Sequence, residues 1–230
     1  MPTARPPEVQ AYSPAEAREL LTAANEDRLY TLWAVAMGIG LRKGEALGLR
    51  WSDVSLEAGW LRVRQTLARE NGGLVFAEPK TARSRRTVPL PSVCVAALRH
   101  HRDRQDLELS ATEPYWDDHG LVFCSTIGSP IDPDNVNRAF DKLCATATAG
   151  VRRVRVHDLR HTCATLLLAQ GVPARVVMEI LGHSQISVTL NTYTHVVSEL
   201  QQEAMNRIDD VFDPPPVDDD GDGPDTGPDD

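Results

Sequence analysis

Cysteine is scarce in this chain and widely scattered. Cys94, Cys124, Cys144 and Cys163 form no C-x-x-C pair, so neither a disulfide framework nor a zinc site is expected, and the pattern suits a reducing cytosol. No apolar run approaches the ~20 residues of a membrane span. Met1 to Gln10 lack the apolar stretch of a signal peptide. A Gly-rich P-loop is missing, so nothing suggests ATP, and there is no H-E-x-x-H zinc-hydrolase pattern. No internal repeat is found. The expectation is a cytoplasmic protein with no membrane partner.

A positive charge balance is also lacking: 24 Lys and Arg stand against 33 Asp and Glu, a net charge of -9. That figure argues against a nucleic-acid partner until its distribution is considered. Residues 209–230 contain ten aspartates and no Lys or Arg, and without them 23 acids face 24 bases, a balance of +1 for residues 1–208. The body is near neutral, with basic clusters at Lys80 to Arg86 and Arg152 to Arg155. Clusters matter more than the sum for phosphate binding.

The 230 residues suffice for one sizeable domain. Residues 1–11 read as a loose, proline-containing leader, residues 12–208 as a folded unit and residues 209–230 as an acidic disordered tail. Ser13-Pro14-Ala15-Glu16 starts a helix with a capping box and Pro at the first position. A second helix follows Asp27 and ends at Gly38 and Gly40, and a short one begins near Arg42, carrying Glu45, Ala46 and Leu49. Trp60 to Leu67 and Gly73 to Phe76 read as two strands around a Glu70-Asn71-Gly72-Gly73 turn, followed by a strand at Arg85 to Pro89. Pro79 to Arg86 between them reads as a charged hairpin tip. Pro91 to Gln105 predicts a helix, Leu121 to Cys124 an extended piece, and Asp132-Pro133 the start of another helix. Val151 to Val156 suits a basic extended connector. Helices are expected from His157 to Gly171, from Pro173 to about Leu181, after Ser187, and from Val196 to Ile208. The fold class is α+β, mainly α, with a small antiparallel sheet.

One set of side chains stands out. His157 and Arg160 are three apart on a helix, so they share a face with Cβ atoms roughly 5–6 Å apart. Arg42 follows Gly40 and opens a helix, where backbone can approach a ligand and free N–H groups favour an anion. Glu45 shares its face as a supporting residue. With Lys80, His183 and Tyr193 these form a constellation fitted to a phosphodiester. Guanidinium groups of Arg42 and Arg160 hold non-bridging oxygens bidentately. Tyr193 is the candidate nucleophile, His157 its proton acceptor, Lys80 a donor to the leaving oxygen and His183 a hydrogen-bond partner. Singly, Tyr193 reads as a half-buried tyrosine, His183 as a turn histidine and Arg42 as a surface arginine. His157 and His161, four apart, could ligate a metal, but no third ligand accompanies them. His100, His101, His119 and His195 read as surface or structural residues.

These segments, in this order, resemble the catalytic domain of the tyrosine recombinases, the phage-integrase family. The matching residues are Gly40 to Trp51, Pro79-Lys80-Thr81 with Arg86 to Leu90, His157 to His161, Leu181-Gly182-His183-Ser184 and Thr192-Tyr193. They span about Tyr12 to Met205 and look most like an actinobacterial or phage integrase. The resemblance implies a site-specific recombinase in which Tyr193 forms a 3′-phosphotyrosyl link and frees a 5′-hydroxyl, with no metal, ATP or other cofactor. It implies double-stranded DNA attachment sites, a homo-tetramer on DNA, exchange of Val196 to Ile208 between neighbours, accessory DNA-bending proteins and a nucleoid-associated location. Family members usually carry a core-binding domain before the catalytic one; here about eleven residues precede the first helix. A fragment or short form is therefore expected, binding DNA weakly and salt-sensitively and recombining poorly alone. The competing readings are a non-catalytic DNA-binding or regulatory remnant and a type IB topoisomerase. Six suitable residues at six positions favour the recombinase.

Overall fold

The computed structural model describes residues 10–79, 84–147 and 151–183. It is mostly helical, with two small antiparallel sheets on one side. Helix α1 (Pro14–Ala23) begins as its sequence dictates: the Ser13 hydroxyl accepts from the Glu16 amide and the Glu16 carboxylate accepts from the Ser13 amide. Tyr12, just before it, is buried, and its amide donates to Thr162 Oγ1 across the molecule.

Helix α2 (Tyr30–Ile39) is buried almost all round, which makes it the centre of the core. Trp33 packs against Phe140 with ring centroids 5.0 Å apart. Gly38 lies inside this helix rather than ending it; Gly40 ends it in the left-handed conformation, φ 66°. Helix α3 (Lys43–Leu47) stops at Gly48, so Leu49 lies beyond its end, although its side chain is buried.

The run from Trp60 to Leu67 is not one strand. Strand β2 (Trp60–Val63) pairs with β1 (Val54–Ser55) and with β5 (Arg86–Pro89), whereas β3 (Thr66–Glu70) pairs with β4 (Gly73–Ala77). The chain leaves one sheet at Arg64 and enters the other at Thr66, and α3 is the reason. A Cβ on Gly44 would lie 2.8 Å from the Leu67 carbonyl oxygen, and one on Gly48 3.0 Å from the Thr66 Cα. The two glycines let α3 sit directly on the β3 backbone. Asn71-Gly72 makes the expected hairpin, with φ 49° and 83°. The strands on either side of the segment around Lys80, β4 and β5, pair in different sheets rather than with each other. Lys80 itself lies outside the described residues.

Helix α4 (Ser92–Thr112) runs a full two turns past Gln105, carried by a charged face that solvent satisfies. Leu121 to Cys124 is extended and makes isolated bridges from Leu121 to Arg50 and from Cys124 to Pro130. Helix α5 (Pro133–Thr146) is capped by the Asp132 carboxylate. Helices α6 (Asp158–Ala169) and α7 (Ala174–Leu181) enclose a second apolar cluster of Cys163, Ala164, Leu168, Val177 and Leu181. No described helix is long and apolar enough to cross a membrane.

Candidate active site

The site is built on the last turn of α7. A helix ends in carbonyls that have no partner within it, and they carry the negative end of the macrodipole. Three consecutive ones here each accept from a different arginine. Ile180 O accepts from Arg86 Nε at 2.7 Å, Leu181 O from Arg160 Nη2 at 2.7 Å, and Gly182 O from Arg42 Nη2 at 3.3 Å. Gly182 takes the left-handed conformation, φ 68°, and the His183 amide returns to Met178 O, closing the helix tightly.

Arg160 projects from α6 and is only 2% exposed. It also donates from Nη1 to Gly40 O at 2.6 Å. Gly40 must be glycine for two reasons: its positive φ, and the Leu181 Cδ2 that would lie 2.3 Å from an added Cβ. The left-handed ends of α2 and α7 therefore meet over Arg160.

Arg42 is the more open of the pair, its side chain 37% exposed. Glu45, one turn on, holds it: Oε1 accepts from Arg42 Nη1 at 2.6 Å and Oε2 from the Arg42 backbone N–H at 3.0 Å. The expectation of a free N–H at Arg42 for an anion is thus corrected. The capping interaction consumes that amide, and only the side chain remains for a ligand. Glu45 is itself buried, 2% exposed. Burial alone would push its carboxyl up; the Arg86 and Arg42 guanidinium groups overcome this and hold it below its ordinary value.

His157 sits at the start of α6, with the His161 ring edge-on to it, centroids 5.0 Å apart. The buried Asp158 carboxylate fixes this corner by accepting from the Arg155 backbone and side chain. All three histidines are held neutral. Burial, then the charges of Arg160 and Arg42, push His183 down to about 3. Burial and the neighbouring His157 take His161 to about 4. Burial and Arg160 lower His157. Among the described residues no three or more His, Cys, Asp or Glu side chains are grouped as metal ligands. A groove of about 830 Å³, lined in part by Lys43, Asn137, Arg153, Arg155 and His157, opens beside the site.

The sequence-predicted Arg42, Glu45, His157, Arg160 and His183 thus converge. Lys80 and Tyr193, and the helices expected after Ser187 and from Val196 to Ile208, lie outside the described residues. Sequence reasoning placed Arg86 in a basic cluster and weighed His161 as a metal ligand; neither was among the site residues. Arg86 stood in the basic run Arg83-Ser84-Arg85-Arg86, where nothing separated it from solvent-facing neighbours. The signal was strand alternation: Val88 points inward, so Arg86, two before it, points inward too.

The fold has counterparts in known proteins. The model of the phage integrase family matches residues 11–199. The XerC-like tyrosine recombinase of Caldanaerobacter subterraneus subsp. tengcongensis is 39% identical, over 89% of this chain and 55% of that protein. The crystal structure of XerA recombinase superposes with a TM-score of 0.68 at 29% identity, covering 87% of this chain and 66% of the other. The Tn1549 transposon integrase, solved with transposon end DNA, gives 0.76 at 24% identity over 91% and 69%, a likeness of fold. The chain spans about half the length of the curated relatives it matches. On the family match across most of its length, this chain belongs to the phage integrase family.

Proposed function

We propose that residues 12–208 form the catalytic domain of a site-specific DNA recombinase that cleaves and rejoins strands through Tyr193. The observation that carries this reading is a convergence of fixed positive charge: Arg42, Arg86 and Arg160 all donate to the carbonyls of one helix end, and Arg42 and Arg86 share one buried carboxylate, Glu45. A phosphodiester passing through displacement moves from one negative charge toward two. Cations fixed in place beforehand favour that change without reorganising.

In this mechanism Arg42 and Arg160 hold the non-bridging oxygens. Tyr193 Oη bonds to phosphorus as the bond to the 5′ oxygen breaks, leaving a 3′-phosphotyrosyl link. The tyrosine proton passes to His157, which burial and the arginines keep neutral and able to accept it. The 5′ oxygen gains a proton from Lys80. Neutral His183 donates a ring N–H to a non-bridging oxygen. A 5′-hydroxyl from a partner strand then reverses each step. One ester is exchanged for another throughout, so this chain's own side chains balance every proton. Double-stranded DNA is the proposed partner, by analogy with the DNA complex of the Tn1549 integrase. A tetramer on paired sites, accessory DNA-bending proteins and a cytoplasmic, nucleoid-associated location complete the proposal.

The test is a pool of nicked duplexes, randomised around the nick, incubated with the chain and run on a denaturing gel. A covalent protein–DNA band from the wild type, absent with Tyr193→Phe and unaffected by EDTA, is expected. Equal DNA binding by both proteins with no covalent band from either sinks the catalytic reading and leaves a DNA-binding remnant.

A further inference from the structure

Arg86 is built unlike Arg42, the more open of the two arginines assigned to the phosphate. Its side chain is 8% exposed, against 37% for Arg42. Four donor bonds turn it inward: Nε to Ile180 O at 2.7 Å, Nη1 to Glu45 Oε1 and to Ser84 O, both at 3.2 Å, and Nη2 to Glu45 Oε2 at 3.1 Å. A guanidinium so occupied has little left to offer a ligand. It reaches the site from β5, on a strand paired residue for residue with β2, so its backbone is fixed by the sheet.

The other end of this contact is Glu45. Its carboxylate accepts from four donors, two of Arg42 and two of Arg86. Were Glu45 to face Arg42 alone, the two would form a neutral buried pair, and the attraction of Arg42 for a phosphate would be largely cancelled. With Arg86 present the three groups carry one net positive charge, and the carboxylate cannot swing out to follow Arg42. A buried carboxylate stripped of one of two partners is also strongly disfavoured.

We propose that Arg86 is a positioning residue: it neutralises and immobilises the Glu45 carboxylate, so that Glu45 orients Arg42 at the reacting phosphate without cancelling its charge. This rests on the recombinase reading above. Arg86 touches neither DNA nor nucleophile. Its loss acts on the rate of strand cleavage and leaves DNA affinity almost untouched.

The experiment has two arms. In the first, side-chain carboxyl carbons are labelled and Glu45 is titrated by NMR in wild type, Arg86→Lys and Arg86→Met, a readout independent of activity. The Glu45 carboxyl, held low in the wild type, is expected to titrate at higher pH in Arg86→Met and between the two in Arg86→Lys. Identical titration in all three overturns the proposal. In the second, single-turnover cleavage of a duplex that the wild type cleaves is measured at saturating protein. Arg86→Met is expected to slow cleavage on the order of ten- to a hundredfold, less than the direct loss of a phosphate donor, with its Kd for DNA within about twofold. Adding Glu45→Gln, which removes the stranded charge, is expected to restore several-fold of that loss. A wild-type rate in Arg86→Met, or a double variant no faster than the single, overturns the proposal. Should Arg86→Met fail to fold, Arg86→Lys carries the same comparison with Glu45→Gln. Absence of cleavage by the wild type counts against the recombinase reading, and the titration still decides the Arg86–Glu45 link.

Discussion

Two polar clusters built from the same residue types lie apart in the fold, one at α4 and one at the end of α7. At the end of α4, Arg28 binds Glu108 bidentately, 2.6 Å on each arm, and donates to Cys124 O. Arg104 donates to Arg28 O and to His101 Nδ1, whose Nε2 donates to Val122 O at 2.7 Å. A carbonyl can only accept and a guanidinium can only donate, so this histidine is neutral with its proton on Nε2, and burial takes it down to about 4. Here Arg28 and Arg104 face Glu108 and the nearby Asp27. At the end of α7, Arg42 and Arg86 face one glutamate, Glu45, and Arg160 is moored beside them. The first cluster is complete and has the character of a brace. In the second, two arginines share one carboxylate, so the more open of them, Arg42, keeps attraction for an anion. Composition alone cannot tell a brace from a binding site; the charge count around each group can.

The contrast breaks first at the arginines. Arg160→Ala is expected to lower the single-turnover cleavage rate by about 10²–10³-fold. Its cost in stability should be about 1–3 kcal/mol, from leaving the Gly40 and Leu181 carbonyls unpaired. Glu108→Gln should lose a comparable 1–3 kcal/mol in urea melts and cleave at the wild-type rate per folded molecule. Equal rates for the two variants would erase the distinction between the clusters.

A second comparison sets one left-handed glycine against another. Gly40→Ala meets both a strained φ, about 1–2 kcal/mol, and the Leu181 methyl group 2.3 Å away. Gly59→Ala, φ 67° with no atom within 4 Å of the added carbon, should show the strain alone. Both should melt earlier, and only Gly40→Ala should cleave slowly.

The smallest effect is on acid stability. His183 and His161 titrate in the fold at about 3 and 4 rather than 6.5. The unfolded chain therefore binds more protons below about pH 6.5, so stability rises with pH across that window and is lost as pH falls. His101 has the same sign. Replacing His161 and His183 by Asn should flatten the fall in urea midpoint between pH 7 and pH 5, and replacing His101 should flatten it too. A steeper fall in either variant would contradict neutral burial of these rings.

Much of this was legible in the chain itself. Ser13 to Glu16, Asp132-Pro133 and Gly171 to Pro173 mark helix ends by local chemistry, and the helices begin and end there. Spacing alone put His157 and Arg160 on one face. What sequence could not give was set by tertiary contact. Trp60 to Leu67 has continuous strand character, yet α3 resting on Thr66 and Leu67 through Gly44 and Gly48 divides it between two sheets. Arg42 looked like an anion-binding helix start, but a capping box closed its amide. Arg86 was hidden in a run of arginines because its partner, Glu45, lies 41 positions earlier.

The three successive carbonyls of α7 have a further consequence, for cooperativity. Arg42, Arg86 and Arg160 come from three separate elements, yet all are moored to Ile180, Leu181 and Gly182. Fraying a single turn of an eight-residue helix removes one tie from each of the three at once. The local free energy of opening there sets the fraction of molecules in which all three of these ties are in place. Amide exchange at Gly182 and His183 would report that fraction directly, as one all-or-none equilibrium.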